Sequence, residues 1–203
     1  MRFPLLVPLV AVCLISGSVV AGTVLEDHFT AASHPQRKAP ANRGEWKFAD
    51  GVASCIQDDV TFAKNKNHGP VLWYDTAFTD GTVRFAFRTE KVRDFVFTLN
   101  SDGHHAFRFV QSPQGLSVRA WTGEGAEAKA ESLLPKDAKA PGLTDGQWVE
   151  VAAEFSGDRC TLSIGPSFQH TFQHPAIAKK KTTLGLGFSF GTLSVRALKI
   201  VTP

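Results

Sequence analysis

Past its first two dozen residues the sequence has no apolar run long enough to cross a bilayer as a helix, which needs about 20 residues. Its one apolar run, Phe3 to Ile15, is shorter than that and contains Pro4 and Pro8. The run follows Met1-Arg2 and leads into the small residues Gly17-Ser18-Val19-Val20-Ala21-Gly22. A short positive start, an apolar stretch and a small-residue exit make a secretory signal, with cleavage expected after Ala21 or Gly22. Residues 1–22 are therefore read as a signal peptide, and residues 23–203 as one soluble, secreted or periplasmic domain. Lipid anchoring would use Cys13, but Val12 stands where a small residue is wanted.

Charge of one sign is scarce as well. The formal net charge is +3 and mixed along the chain, without the basic stripe that nucleic-acid binding requires. Lys179-Lys180-Lys181 reads as a solvated loop beside a turn. Only Cys55 and Cys160 follow the leader. In an oxidising compartment they form either one disulfide or two separately buried thiols. A bridge closing so long a loop would add about 4–5 kcal/mol in the chain-entropy view.

The motifs of familiar catalysis are missing too. There is no Gly-x-Ser-x-Gly elbow, and neither cysteine lies in a catalytic context. Gly185-x-Gly187 lacks the third glycine and the helix of a phosphate cradle, and suits a close-packed strand. The Glu-x-Asp-x-x-Glu of sandwich-fold glucanases is absent. Glu150 and Glu154 on one strand stand ~13 Å apart, beyond the separation of either two-carboxylate glycosidase mechanism. His170 and His174 would be neighbours on a helix. Pro166, Pro175 and the alternating Phe168 and Phe172 make that segment a strand instead, so the two cannot share a metal ion. His104 and His105 point to opposite sides of theirs. No metal or other cofactor is expected, and no residue is assigned a catalytic role.

What the sequence has is phenylalanine, 16 residues of it, in strict alternation. Val83, Phe85 and Phe87 share one side, as do Phe95, Phe97 and Leu99, then Phe107 and Phe109, then Val149, Val151, Ala153 and Phe155. Each run has a more polar opposite side, as half-buried antiparallel strands require. Asp80-Gly81, Asn100-Ser101-Asp102-Gly103 and Gly157-Asp158 supply the turns. Short strands at regular spacing predict an all-β fold of two antiparallel sheets, with the large rings between them. Residues 122–147, rich in Ala, Lys, Glu and Gly, read as a surface insertion with a short helix over 126–134.

The side opposite the phenylalanines carries Arg84, Arg88, Thr98, Asn100 and Arg108, on strands expected to be adjacent. Arg119 and Trp121 continue it, His68 and Trp73 stand at its rim, and His104 and Glu154 complete the candidate binding set. Arginine and amide donors beside an aromatic plate (Trp121, Trp73 or Tyr74) suit a sugar. A merely solvated sheet face would read the same way.

Five motifs in order resemble one family. They are Leu25-Glu-Asp-His-Phe29, Trp46 to Val52 (W-x-x-x-D-G-V), and Gly81 to Phe87. Next is the hairpin Trp148 to Asp158 (W-x-x-V-x-V), and last the closing pair Leu184–Phe188 and Arg196–Ile200. The chain is similar to the 3-keto-disaccharide hydrolase-like proteins, secreted proteins of planctomycete type within the concanavalin A-like and laminin G-like jelly rolls. The resemblance implies a jelly-roll sandwich with a concave face that handles carbohydrate, and hydrolysis of 3-keto-disaccharides or 3-keto-glycosides. A 3-keto group acidifies the C2 proton, so elimination and hydration need one base, for which His104, His105 or Glu154 are candidates. Asn65 to Pro70 departs from the family pattern, which marks a subfamily with a different ligand or no activity. The leading expectation is a carbohydrate-binding domain. The alternatives are that hydrolase and a non-catalytic interaction domain of the cell envelope. Oligomeric state is left open.

Overall fold

Alternation resolves into two antiparallel sheets packed face to face. The computed structural model describes residues 22–38, 44–123, 127–135 and 138–203. The expected signal peptide and Cys13 lie outside the described residues, apart from Gly22.

The back sheet runs, in spatial order, β12 (Phe168–Gln173), β11 (Arg159–Ile164), β10 (Val149–Ser156), β5 (Gly81–Glu90), β14 (Gly191–Thr202), β3 (Val52–Gln57) and β2 (Lys47–Ala49). β1 (Gly22–Asp27) pairs with the far half of β14, where a bulge with Ala197 at φ 55° lets that strand change partner. The front sheet runs β4 (Val71–Phe78), β13 (Lys181–Ser189), β6 (Asp94–Ser101), β7 (His104–Ser112), β8 (Gly115–Thr122) and β9 (Lys129–Ser132). One short helix, α1 (Asp59–Lys64), is capped by Asp58, whose side chain accepts from Thr61 N at 2.7 Å.

The phenylalanines meet between the sheets as their phase predicts. Phe87 stacks on Phe95 at 4.2 Å between centroids, and Phe85 on Phe97 at 5.8 Å, each pair joining back sheet to front. Phe97 stacks in turn on Phe109 at 5.0 Å. Fully burying each such side chain is worth about 1.5–3 kcal/mol, and each well-placed ring pair adds about 0.5–1.5 kcal/mol.

A buried polar knot fastens the first strand. Asp27 Oδ2 lies 2.6 Å from an Arg37 guanidinium nitrogen and accepts from the Tyr74 hydroxyl at 2.7 Å, while Oδ1 accepts from Phe29 N at 2.8 Å. Burial opposes the Asp27 charge, but these three donors outweigh it and hold the carboxyl below its ordinary range. The polar loop after β1 is thus pinned to β4, and Tyr74 is a core residue, not a plate for a ligand.

One open alternative is decided and two expectations change. Cys55 and Cys160 are separate buried thiols. They stand on β3 and β11, four strand positions apart in one sheet, which is roughly 19 Å at ~4.8 Å per strand and far beyond disulfide reach. Lys181 is not in a solvated loop but fully buried. Its ammonium donates to the carbonyls of Thr79 and Ile177 and lies over the rings of Phe155 and Phe78. Within the segment expected as a helix over 126–134, Lys129–Ser132 forms β9 instead, an edge strand paired with β8. Leu133, Leu134, Ala140 and Leu143 of that region pack against the core and override its helix-forming composition.

Candidate functional site

The outer face of the front sheet is laid out in rows, because residues paired across neighbouring strands stand side by side. One row reads Trp73, Gly185, Thr98, Arg108, Arg119 and Ser132 across β4, β13, β6, β7, β8 and β9. On one side of it runs an apolar row of Val71, Gly187, Val96 and Val110. On the other runs a polar row of Asp75, Thr183, Asn100 and His105.

Gly185 explains how Trp73 lies on this face. A Cβ on Gly185 would come within 2.5–2.8 Å of three carbons of the Trp73 ring. Only a bare strand lets the indole lie down over β13. The Gly185-x-Gly187 pair therefore builds a platform, which sharpens its reading as a close-packed strand.

His105 reaches the site through a bulge. Leu99 pairs with Phe107, but the next residue, Asn100, pairs with His105, so Ala106 is the extra residue of β7. Strict alternation would place His105 on the Phe107 side. The bulge turns it outward, onto the side of Arg108.

The polar groups then bind one another in a chain. Asn100 Nδ2 donates to Thr183 Oγ1 at 2.9 Å, and Asn100 Oδ1 lies 2.8 Å from His105 Nδ1. An amide oxygen only accepts, so Nδ1 carries the ring proton and Nε2 is an acceptor. Arg108 donates to that Nε2 at 2.8 Å and, through Nε, to Thr98 Oγ1 at 3.0 Å. Trp121 flanks both, with its ring 5.0 Å from that of His105 and 5.4 Å from the Arg108 guanidinium carbon. Partial burial first, then the charges of Arg108 and His104, pull the His105 pKa down to about 4. The imidazole is neutral at neutral pH and serves as an acceptor for Arg108.

A wall closes one end of the face. α1 and the turn after it dock through Phe62 on Phe190 at 4.7 Å, and Arg93 lies over the Phe190 ring. Buried Gln57 ties the turn down, donating to His68 O at 3.1 Å and accepting from Phe190 N at 3.0 Å. Gly69 presses so closely on the Phe188 carbonyl that a Cβ there would collide with it. Asn65 to Pro70, the stretch that departs from the family pattern, is this wall. Between it and His105 lies a groove of about 620 Å³ whose floor includes Trp73, Thr98, Arg108 and Val96. That is the size range of small-ligand sites.

The sequence-predicted set is therefore split. Asn100, Arg108, Arg119, Trp121 and Trp73 share the front face, with His68 at the wall. His104 stands exposed beside it, lining a smaller hollow of about 420 Å³ with His105, Lys179 and Lys180. Arg84, Arg88 and Glu154 belong to β5 and β10 and face outward from the back sheet, on the opposite side of the sandwich. Phase shows that a side chain points away from the core. It does not show which of two sheets it points from. The Arg88 guanidinium instead packs on Trp148, which Arg196 also covers. Thr183 is an addition to the face, and His105, named from sequence only as a candidate base, joins the binding groups through the bulge at Ala106. The sequence signal for Thr183 was its phase with the two glycines.

A scan against protein-family models matches none, and a search of curated proteins finds no similar sequence. Solved structures are similar in fold. A non-specific endo-β-1,3(4)-glucanase of family GH16 superposes with a TM-score of 0.60 at 10% identity, covering 90% of this chain and 91% of that one. A carbohydrate-binding module, CBM66, from Bacillus subtilis gives 0.55 at 10% identity, covering 76% and 89%. A homodimeric agglutinin from chicken liver gives 0.51 at 14% identity, covering 64% and 98%. The chain is a two-sheet antiparallel jelly-roll sandwich, the fold it shares with these structures.

Proposed function

We propose that this protein binds a carbohydrate in the groove of the front sheet. One observation carries the reading: an indole laid flat by a glycine borders a row of donors and acceptors already fixed by mutual hydrogen bonds. A sugar ring has the complementary surfaces, an apolar face of C–H groups and a rim of hydroxyls that both donate and accept. The side chains of Thr98, Asn100, His105, Arg108 and Thr183 are held in place before any ligand arrives, which lowers the ordering cost of binding. Carbohydrate-binding proteins among the solved structures of this fold support the same class of ligand. The leader-like Met1 to Gly22 supports export, where extracellular glycans are met. A glycan array probed with the wild type, Trp73→Ala and Arg108→Ala tests the reading. The wild type is expected to bind a defined set of glycans, and each variant to lose at least tenfold on that set. Unchanged binding by both variants contradicts it.

Hydrolysis of 3-keto-glycosides is a second reading, favoured by the way Asn100 orients the His105 ring. A neutral imidazole with Nδ1–H held presents Nε2 as a base for the acidified C2 proton, and the Arg108 guanidinium, 2.8 Å from that nitrogen, would offset enolate charge formed beside it. Arg108 already occupies Nε2, and the low basicity of His105 makes it a weak base, so binding ranks first. Incubation with a 3-keto-glucoside, followed for released aglycone, decides the point; no turnover across a panel of 3-keto-glycosides removes this reading.

A further inference from the structure

Arg108 and Arg119 face each other directly across β7 and β8. Residues so paired have Cβ atoms about 4.5–5.5 Å apart, and like charges there are destabilising. Arg108 is half-buried, and burial followed by the Arg119 charge holds its guanidinium below its ordinary range. Neither arginine has a carboxylate partner among the described residues. The carboxylates on the front-sheet strands are already engaged: Asp75 by Lys38 at 2.8 Å, Asp94 by Arg93 Nε and Ser189 Oγ, each at 2.9 Å, and Glu131 by Thr122 Oγ1 at 2.9 Å. The Arg119 side chain is exposed and makes no hydrogen bond or ring contact among the described residues. On the back sheet Arg196 lies 3.5 Å from Glu150 and both Arg196 and Arg88 cover Trp148, while Arg84 is exposed.

The cationic character continues past the groove. His105 lines both the main groove and the neighbouring hollow, where Lys179 and Lys180 stand with His104 and one carboxylate, Asp102. Arg108 and His105 thus line the main groove and Lys179 and Lys180 the adjoining hollow, with Arg119 beside Arg108 on the next strand.

We infer that the saccharide bound here is acidic, with a carboxylate or sulfate ester seated between Arg108 and Arg119 and the chain extending toward Lys179 and Lys180. The inference rests on the carbohydrate reading above and adds the class of sugar. An anionic oxygen pair matches the fork of guanidinium donors. It also offsets the repulsion between the two facing guanidiniums. The neutral state of His105 fits the same role, because its Nε2 accepts from Arg108 and fixes the fork without adding a third charge.

The test measures binding of three probes of equal length, tetragalacturonate, sulfated cellotetraose and cellotetraose, to the full protein by calorimetry at two salt concentrations. At least one acidic probe is expected to bind tenfold or more tightly than the neutral one and to weaken with salt; which of the two wins separates carboxylate from sulfate. Arg119→Gln is expected to cost the acidic probe at least fivefold and leave the neutral one unchanged. Being exposed, this variant keeps the fold, and its urea midpoint should equal or exceed that of the wild type. Arg84→Ala, on the opposite face, is expected to change nothing. Preference for the neutral probe, indifference to Arg119→Gln, or an equal loss in Arg84→Ala would overturn the inference. Trp73→Ala separates the two levels: if it spares all binding, the carbohydrate reading of the groove falls, whereas tight neutral binding that needs Trp73 leaves that reading standing and removes only the acidic ligand.

Discussion

Asn100 Oδ1 stands 2.8 Å from His105 Nδ1 and fixes the ring proton on that nitrogen. The first prediction follows from this pair. NMR titration should find His105 protonating near pH 4. Asn100→Asp places a carboxylate against the Nδ1–H and should raise that value by a unit or more. An unperturbed wild-type value near 6.5 would contradict the geometry. The stability consequence has a definite sign. Between about pH 4 and about 6.5 the unfolded chain binds more protons at this site than the folded one. The contribution of His105 is therefore complete above pH 6.5 and is lost as pH falls toward 4. In urea unfolding across that window, His105→Gln should flatten the acid-side slope.

Gly185→Ala tests the platform. The added methyl group cannot share space with the Trp73 ring, so the indole must lift or turn. The expected result is a loss of glycan binding close to that of Trp73→Ala, with a stability cost of about 1–3 kcal/mol for overpacking. The same substitution should shift the tryptophan fluorescence maximum. Unaltered binding would show that the ligand does not use the indole face.

Asp27 is expected to be the costliest single polar residue of the knot beneath β4. Asp27→Ala strands the Arg37 guanidinium, whose side chain is only 4% exposed, and removes the acceptor of the buried Tyr74 hydroxyl. Breaking a buried pair from one side costs about 3–5 kcal/mol. Chemical denaturation should show a loss of that order, and a change below 1 kcal/mol would mean that water replaces the carboxylate.

Lys181 gives a prediction on the alkaline side. Burial pushes its ammonium down to about 8, against about 10.5 when unfolded. Between those values the unfolded chain binds more protons at this site, so the Lys181 contribution rises with pH. Ionisation of Cys55, Cys160 and Tyr74 acts in the opposite direction, because all three are held above their ordinary values by burial. The readout is thus a difference: wild type should gain stability relative to Lys181→Met from pH 8 to 10.5. A constant difference would contradict the buried ammonium.

Most of the sandwich was legible because a half-buried strand writes its geometry into the sequence with period two. Phe85, Phe87, Phe95, Phe97, Phe107 and Phe109 all point inward as read. What phase could not supply was the partner of each strand. Arg84 and Arg108 look alike in sequence, and yet β5 lies in the back sheet and β7 in the front. Strict alternation alone would turn His105 toward the core, because a one-residue bulge at Ala106 is a property of the pair β6–β7 and leaves no glycine or proline to mark it. Lys181 misled for a related reason. It follows two exposed lysines, and only the arriving carbonyls of Thr79 and Ile177 make its burial tolerable.

The four tryptophans supply the most direct test of the central claim. Trp73 and Trp121 stand on the front face, Trp148 on the back sheet beneath Arg88 and Arg196, and Trp46 against the ring of Phe188. Their indole N–H resonances can be followed by ¹⁵N NMR while the tightest-binding array glycan is titrated in. The account predicts that the Trp73 and Trp121 signals move together, saturably, while that of Trp148 stays fixed. Movement of the Trp148 signal with Trp73 and Trp121 unmoved would place the ligand on the back sheet and contradict it.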